Sequence, residues 1–383
     1  MSDERELLDR DDVDDLDAIL SVEAADPDEV IHLVVDNADA LFTWDYERSR
    51  QPLSKLYEKA KRSQWNATTD LPWDTDVDQE LLAVTAGMAT PEMMEAAGID
   101  LTGSVFETWG KKEWLALAIE QQNWTLSQFL HGEQGALVCT AKIVETVPWI
   151  DAKYYAATQV VDEARHVEVF ARYLDEKLNG HYRINPHLGL LLDDIIRDSR
   201  WDITYLGMQI MVEGLALAAF ALAQAVTPEP LLRQLLRYVM GDEARHVAFG
   251  VLSLQEYYAG LTDKELADRQ EFAFEAAVRM RDRLIAQEVW ERVGVDTKEA
   301  LRVLNPFGDD KNRDPFQMLL FSKIVPNLSK LGLLDVNGGW LRSRFDTLGV
   351  TQFETWTDTS IEYEMLDAVA ADRAADADRA AVR

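Results

Sequence analysis

The hexapeptide DEARHV occurs twice in this chain, at 162–167 and at 242–247, eighty positions apart. Laying the sequence on itself with that offset also matches Leu126 with Leu206, Glu133 with Glu213, Ala136 with Ala216, Ala141 with Ala221 and Pro148 with Pro228, while most other positions differ. Core packing alone does not hold a lone glutamate and a turn proline in register across dissimilar halves. A site shared by both halves does, so the chain must fold to bring the two copies together.

The material between the copies is helical. Apolar residues recur at three and four, β-like alternation does not persist, and the 383 residues hold only 19 Gly and 11 Pro, an all-α pattern. Helices are expected from Pro27 to Trp44, Pro52 to Trp65 and Asp76 to Ala86. Four long ones follow, from Lys111 to Glu145, Trp149 to Asn179, Pro186 to Val226 and Pro230 to Tyr258, and shorter ones from Asp263 to Val293 and Asp314 to Leu331. The resulting organisation is an acidic helical N-terminal extension over 1–50, a bundle with its preceding helices over 51–260, C-terminal helices packed on it over 261–365, and a mobile tail over 366–383.

On an α-helix, residues at i and i+3 lie about 60° apart around the axis and roughly 4.5 Å along it. Glu163 and His166 therefore share a face, as do Glu243 and His246. Each pair follows, thirty residues on, a helix with one glutamate in an apolar setting, Glu133 in FLHGEQGALV and Glu213 in QIMVEGLALAAF. An antiparallel hairpin brings each glutamate to its pair. Four carboxylates buried together without counter-charge are prohibitive, and two divalent ions neutralise them. One glutamate on each of two helices plus Glu-x-x-His on each of the other two is the ferritin-like di-iron or di-manganese arrangement, and its mixed oxygen and imidazole donors suit Fe or Mn.

The rest of the motif fits a supporting role. Asp162 and Asp242 point about 100° away from the adjacent glutamates. From there each reaches a histidine of the other hairpin, and a metal-bound imidazole usually donates its second N–H to such a carboxylate. The expected pairs are Asp242 with His166 and Asp162 with His246, with Arg165 and Arg245 bracing the aspartates.

Charge narrows the partners. With 38 basic against 69 acidic residues the net charge is -31, which repels nucleic acid and anionic membranes. The start lacks the basic and apolar regions of a signal peptide, and the run GLALAAFALAQAV from Gly214 is too short to span a bilayer, so a cytoplasmic protein without a membrane span is expected. Cys139 has no partner for a disulfide and reads as core.

These motifs resemble those of the ferritin-like di-iron carboxylate superfamily, and within it ribonucleotide reductase small subunits and bacterial multicomponent monooxygenase hydroxylases. The D-E-x-R-H form is similar to that of the hydroxylases. VEGLALAAF from Val212, and LYEKAKRSQWNATTDLPWDTDVD from Leu56, resemble segments of the reductase subunits. The similarity covers roughly Leu53 to Tyr258. It implies a ferritin-like four-helix bundle of two repeated hairpins with added N- and C-terminal helices, and Glu133, Glu163, His166, Glu213, Glu243 and His246 as ligands of two Fe ions, or of Mn and Fe. It also implies Trp65 beside Asp242, where the family runs a Trp-Asp-His path for electrons. One position departs: four residues after the first ligand histidine, where reductase subunits hold a radical tyrosine, this chain has Phe170.

The expected function is that of an O2-activating di-iron oxidoreductase acting on an apolar small-molecule or acyl substrate by hydroxylation, desaturation or N-oxygenation. Its expected partners are an electron-donor protein and, in a homodimer, a second copy. Phe129, Leu137, Phe170, Met208 and Phe220 would keep water from the centre. Two alternatives stand beside it: a reductase-small-subunit-like ligand-binding oxidase, and a metal-handling ferroxidase or store.

Overall fold

Pro148 and the prolines at 228 and 230 cannot continue a helix, and they fold the repeated segments into two hairpins. The computed structural model describes residues 8, 10, 12–23, 30–85, 88–96, 98–178, 180–304, 315–347, 349–359 and 361, and among them all extended regular structure is helical. First come α1 (Leu16–Leu20), α2 (Gln51–Arg62), α3 (Gln79–Thr85) and α4 (Pro91–Ala96). The first hairpin joins α5 (Lys111–Thr146) to α6 (Ile150–Lys177). After α7 (Pro186–Arg197), the second joins α8 (Trp201–Tyr205), a π-helical stretch (Leu206–Val212) and α9 (Glu213–Val226), running as one rod, to α10 (Pro230–Tyr258). Then follow α11 (Asp263–Asp282), α12 (Gln287–Val293), α13 (Thr297–Leu304), α14 (Pro315–Lys330) and α15 (Val336–Thr347).

Local chemistry sets the helix starts that place the site. The Glu113 carboxylate accepts from the Gly110 N–H at 2.9 Å, opening α5. Glu229 accepts from the N–H groups of Leu231 and Leu232, each at 2.6 Å, with Pro230 in the first turn, opening α10. α5 lies along α6 and α9 along α10, α2 lies on α6 and α10, α14 covers α9, and α11 packs on the π-helical stretch. Ile143, Val169, Phe170, Met208, Phe220, Val247 and Phe249 fill the interior. Each such side chain contributes roughly 1.5–3 kcal/mol on burial.

Three expectations change. No helix forms over 30–44; the chain there is an irregular arm on the outside of the bundle. Its polar groups bind the bundle: His32 Nε2 lies 3.0 Å from Asp193, the Leu41 N–H donates to the Glu145 carbonyl at 2.9 Å, and the Thr43 hydroxyl donates to the Pro148 carbonyl at 2.8 Å. The apolar side chains that imitate a helical stripe face outward, with Phe42 stacked on Trp44 at 5.4 Å. The single helix expected from Pro186 to Val226 breaks at 198–200, because Lys142 Nζ donates to the carbonyls of Ile196 and Asp198 at 2.5 and 2.7 Å and draws them out of helical bonding. The helix expected from Asp263 to Val293 breaks at Ala286, which takes the left-handed conformation at φ 50°. The rod Trp201–Val226 is long and apolar enough to cross a membrane, but 78% of its most apolar window is buried inside the bundle. The tail at 366–383 lies outside the described residues.

Candidate metal centre

Each helix of the two hairpins presents its carboxylate or its Glu-x-x-His pair to one interior point. Glu133 comes from α5, Glu163 and His166 from α6, Glu213 from the first residue of α9, and Glu243 and His246 from α10; all six are buried. Donor atoms of Glu133, Glu163, His166 and Glu243 lie within 4.8 Å of one another, and so do those of Glu163, Glu213 and His246. His166 Nδ1 is 3.1 Å from Glu133 Oε2, 3.3 Å from Glu163 Oε2 and 3.1 Å from Glu243 Oε1. His246 Nδ1 is 3.0 Å from Glu163 Oε1 and 3.5 Å from Glu243 Oε2. Glu163 and Glu243 thus each turn one oxygen toward either imidazole, the disposition of carboxylates shared between two ions.

The donor set fits a pair of metal ions. Bonds of about 2.0–2.2 Å to a common ion put neighbouring donors about 3 Å apart, as they are here. Moreover, Glu163 Oε2, Glu213 Oε2, both Glu243 carboxylate oxygens and His246 Nδ1 are buried without a hydrogen-bond partner. Leaving one such group unsatisfied typically costs about 1–3 kcal/mol, so a cluster of them calls for an electrophile.

Electrostatics show how the protein carries these groups on its own. Burial, then the charges of Glu243 and Glu163, pushes the Glu213 carboxyl well up; burial and Glu243 do the same to Glu133. Burial favours neutral histidine, but for His166 it is outweighed by Glu133 and Asp242, and for His246 by Glu163 and Glu243, so both rise well above the usual imidazole range. Burial also opposes the charge on Glu163, yet His246 and His166 hold that carboxyl well below its usual range.

Behind each imidazole stands an aspartate from the other hairpin. His166 Nε2 is 3.2 Å from Asp242 Oδ2, and His246 Nε2 is 3.4 Å from Asp162 Oδ2. This leaves Nδ1 of each ring facing the glutamates. Arg165 ion-pairs with Asp162 and lies 3.5 Å from Asp242; Arg245 ion-pairs with Asp242 and lies 3.5 Å from Asp162. Two aspartates and two arginines make a cross-braced layer of zero net charge. Trp65 Nε1 donates to Asp242 Oδ2 at 2.8 Å.

Two glutamines join the site that sequence reasoning did not find. Gln159 Nε2 donates to Glu163 Oε1 at 2.9 Å and to Glu213 Oε1 at 3.0 Å, tying the hairpins together. Gln64 Nε2 donates to Asp162 Oδ1 at 2.9 Å. Eighty residues after Gln159 stands Val239, so the repeat carried no signal for it. The place of Phe170 is filled by three rings: Phe129 to Phe220 at 4.6 Å, Phe170 to Phe220 at 5.7 Å and Phe129 to Phe170 at 5.8 Å. Tyr155 and Tyr205 instead pack on Phe249, at 4.4 and 5.0 Å.

No protein-family model and no curated protein matches the chain. Among solved structures, an R2-like ligand-binding oxidase with an aerobically reconstituted metal cofactor, after photoconversion, is similar at 17% identity, with 74% of this chain and 94% of that one covered and a TM-score of 0.46. A single-site variant with an anaerobically reconstituted Mn/Fe cofactor is similar at 19% identity, with 74% and 94% covered and a TM-score of 0.45. By its own topology, two glutamate-bearing hairpins closed face to face over one donor cluster, this chain is an all-α protein of the ferritin-like fold.

Proposed function

We propose that the chain is an O2-activating oxidoreductase with a di-iron or Mn/Fe centre, and that it oxidises an apolar organic substrate by hydroxylation, desaturation or N-oxygenation. The observation that supports this most is the buried six-residue donor cluster with its unpartnered oxygens, with a buried group of phenylalanines about one helical turn beyond His166 on α6. When bound, the metal pair supplies redox chemistry with O2. The protein's residues do the remaining work. Glu133, Glu163, Glu213 and Glu243 hold the ions, and His166 and His246 bind through Nδ1 while Asp242 and Asp162 fix their tautomers. Gln159 orients two of the carboxylates, and Phe129, Phe170 and Phe220 exclude water. In this reading the protein works in the cytoplasm with an electron-donor protein.

The test is single-turnover chemistry. Protein loaded with two equivalents of iron is reduced, exposed to O2 with and without long-chain apolar substrates, and followed by product analysis and electron paramagnetic resonance. The expected result is substrate oxidation without a long-lived tyrosyl radical, because Phe170 stands where the phenol would be. A stoichiometric stable tyrosyl signal, or iron uptake continuing far beyond two ions per chain, sinks the reading.

A further inference from the structure

The two aspartates behind the histidines are finished differently, although the motifs that carry them are identical. Two consecutive residues just past the end of α2 cap them. Gln64 caps Asp162, its Oε1 accepting from Arg165 Nη1 at 2.8 Å. Trp65 caps Asp242 at 2.8 Å, through the same oxygen that lies 3.2 Å from His166. One half ends in an amide, which one-electron oxidants leave alone. The other ends in an indole, which they do not.

The indole is not the end of the contacts. Its ring stacks on Tyr238 at 5.0 Å with only 13° between the planes, and Tyr238 is half-buried, at the edge of solvent on α10. The residue eighty positions earlier is Thr158, so the other hairpin has no ring there. A continuous series therefore runs from solvent through Tyr238, Trp65 and Asp242 to His166, on one side of the centre only. Each of the two elements that carry its outer end also carries an exposed arginine, while the Asp70 segment meets α10 one turn before Tyr238. Arg237 lies with its guanidinium 5.3 Å from the Tyr238 ring centroid, and Arg62 stands three residues before Trp65. Both are exposed, and neither has a carboxylate partner among the described residues.

We propose that Tyr238 is the outer relay through which single electrons reach the His166 side of the centre, and that the exposed face of α10 around Arg237 docks a one-electron donor protein with an acidic face. This rests on the redox reading of the centre given above. The oxidant is O2: once the reduced, metal-loaded centre has reacted with it, the centre is the acceptor of the electron. Trp65 yields one electron inward while its N–H stays shared with Asp242. Tyr238 refills Trp65 and releases its phenolic proton to solvent. The reduced donor returns one electron to Tyr238, which regains a proton from solvent. The net change is one electron from donor to centre, and both rings are restored.

The experiment compares wild type, Tyr238→Phe, Tyr238→Trp and Arg237→Glu, each loaded with iron and assayed for iron content. Oxidation of a reduced acidic [2Fe–2S] ferredoxin is followed in the visible as the reduced, iron-loaded protein meets O2, with ferredoxin and O2 alone as the blank. In parallel, peptide mass spectrometry maps side-chain oxidation after repeated reduction and O2 cycles without substrate. Tyr238→Phe should slow electron delivery by on the order of tenfold, the low end of what outer partners of a metal centre contribute, with iron content unchanged. Tyr238→Trp, which restores an oxidisable ring, should recover the rate. Arg237→Glu should slow it most at low salt. Oxidation marks should fall on Tyr238 and Trp65 and spare the half-buried Tyr57. Equal rates in wild type and Tyr238→Phe, no electron uptake by wild type, or marks spread evenly over tyrosines would overturn the relay. A wild type that binds no iron would overturn the centre itself.

Discussion

Loading metal into this protein should drive protons out of it, and the structure sets how many. Glu133, Glu213, His166 and His246 are all pushed toward their protonated forms, the first two chiefly by burial and the imidazoles by the carboxylates that outweigh burial. With Glu163 held ionised, protons in the metal-free centre stand in for the charge that cations supply. Metal needs every one of those donors bare. Because the charge that raises His166 is chiefly that of Glu133, these two share at least one proton, and full loading releases about two to four protons per chain, or about one to two per ion, so the apparent affinity of each ion rises roughly 10- to 100-fold per pH unit while those groups titrate. The sign for stability follows from the same shifts. The two histidines stabilise the metal-free fold below their ordinary range and lose that contribution as pH rises through their raised values. Glu133 and Glu213 destabilise it as soon as pH rises past the ordinary carboxylate range. Glu163 and Asp242, held low, act oppositely and lose their contribution only in acid. The metal-free protein should therefore weaken on going from about pH 5 to about pH 8, by as much as about 1.4 kcal/mol per pH unit for each proton involved. Isothermal titration of Fe(II) or Mn(II) without O2, in buffers of different ionisation enthalpy, counts the protons; urea unfolding across pH tests the stability limb. Release of fewer than one proton per ion, or a metal-free protein that gains stability over that interval, refutes the reasoning.

Three further outcomes follow from named contacts. Glu133→Ala combined with Glu213→Ala removes a donor from each side of the cluster and should abolish retention of the metal pair, checked by elemental analysis of protein expressed with iron; full metal content in the double variant contradicts the ligand assignment. Asp242→Ala strips Arg245, Trp65 and His166 of a shared partner, so it should cost about 3–5 kcal/mol in urea unfolding and weaken metal retention by roughly 10- to 100-fold; wild-type behaviour makes Asp242 incidental. Gly250→Ala would set a Cβ 2.6 Å from the Gln209 Cβ and 3.3 Å from Ile210 Cδ1 in the π-helical stretch. It should cost about 1–3 kcal/mol by overpacking and lower the affinity for the ion on the Glu213 side; an unchanged melting temperature and metal isotherm would count against that close approach.

The centre was legible in the sequence because internal repetition did the work that comparison with other proteins normally does. Every residue of the hexad has a twin at the same offset, and helical spacing converts the twins into facing pairs. What escaped has no twin. Gln159 meets Val239 across the repeat, and the Gln64 and Trp65 caps lie before the repeat begins; of these, Trp65 was reached only through resemblance to known proteins. The arm over 30–44 escaped for another reason. Its apolar spacing resembles a helix, but the bonds that fix it go to Asp193, Glu145 and Pro148, more than a hundred residues away, and no local pattern records them. The break at 198–200 was hidden likewise, since the Lys142 that causes it belongs to α5.

The π-helical stretch Leu206–Val212 gives the two glutamate-bearing rods unequal mechanics. α5 is α-helical from Lys111 to Thr146 and holds Glu133 as a fixed jaw. Its counterpart hands over to α-helix at Glu213 itself, directly after seven residues wound one residue too loosely per turn. If that slack passes a single step along the rod, the next residue swings by about 100° and slides by about 1.5 Å. Such a step would release Glu213 from Gln159, and Gln209, whose side-chain amide is buried without a partner, lies within the stretch. The clamp on the metal pair is thus built like a vice, with one anchored jaw and one carried on a screw thread that can advance by one notch.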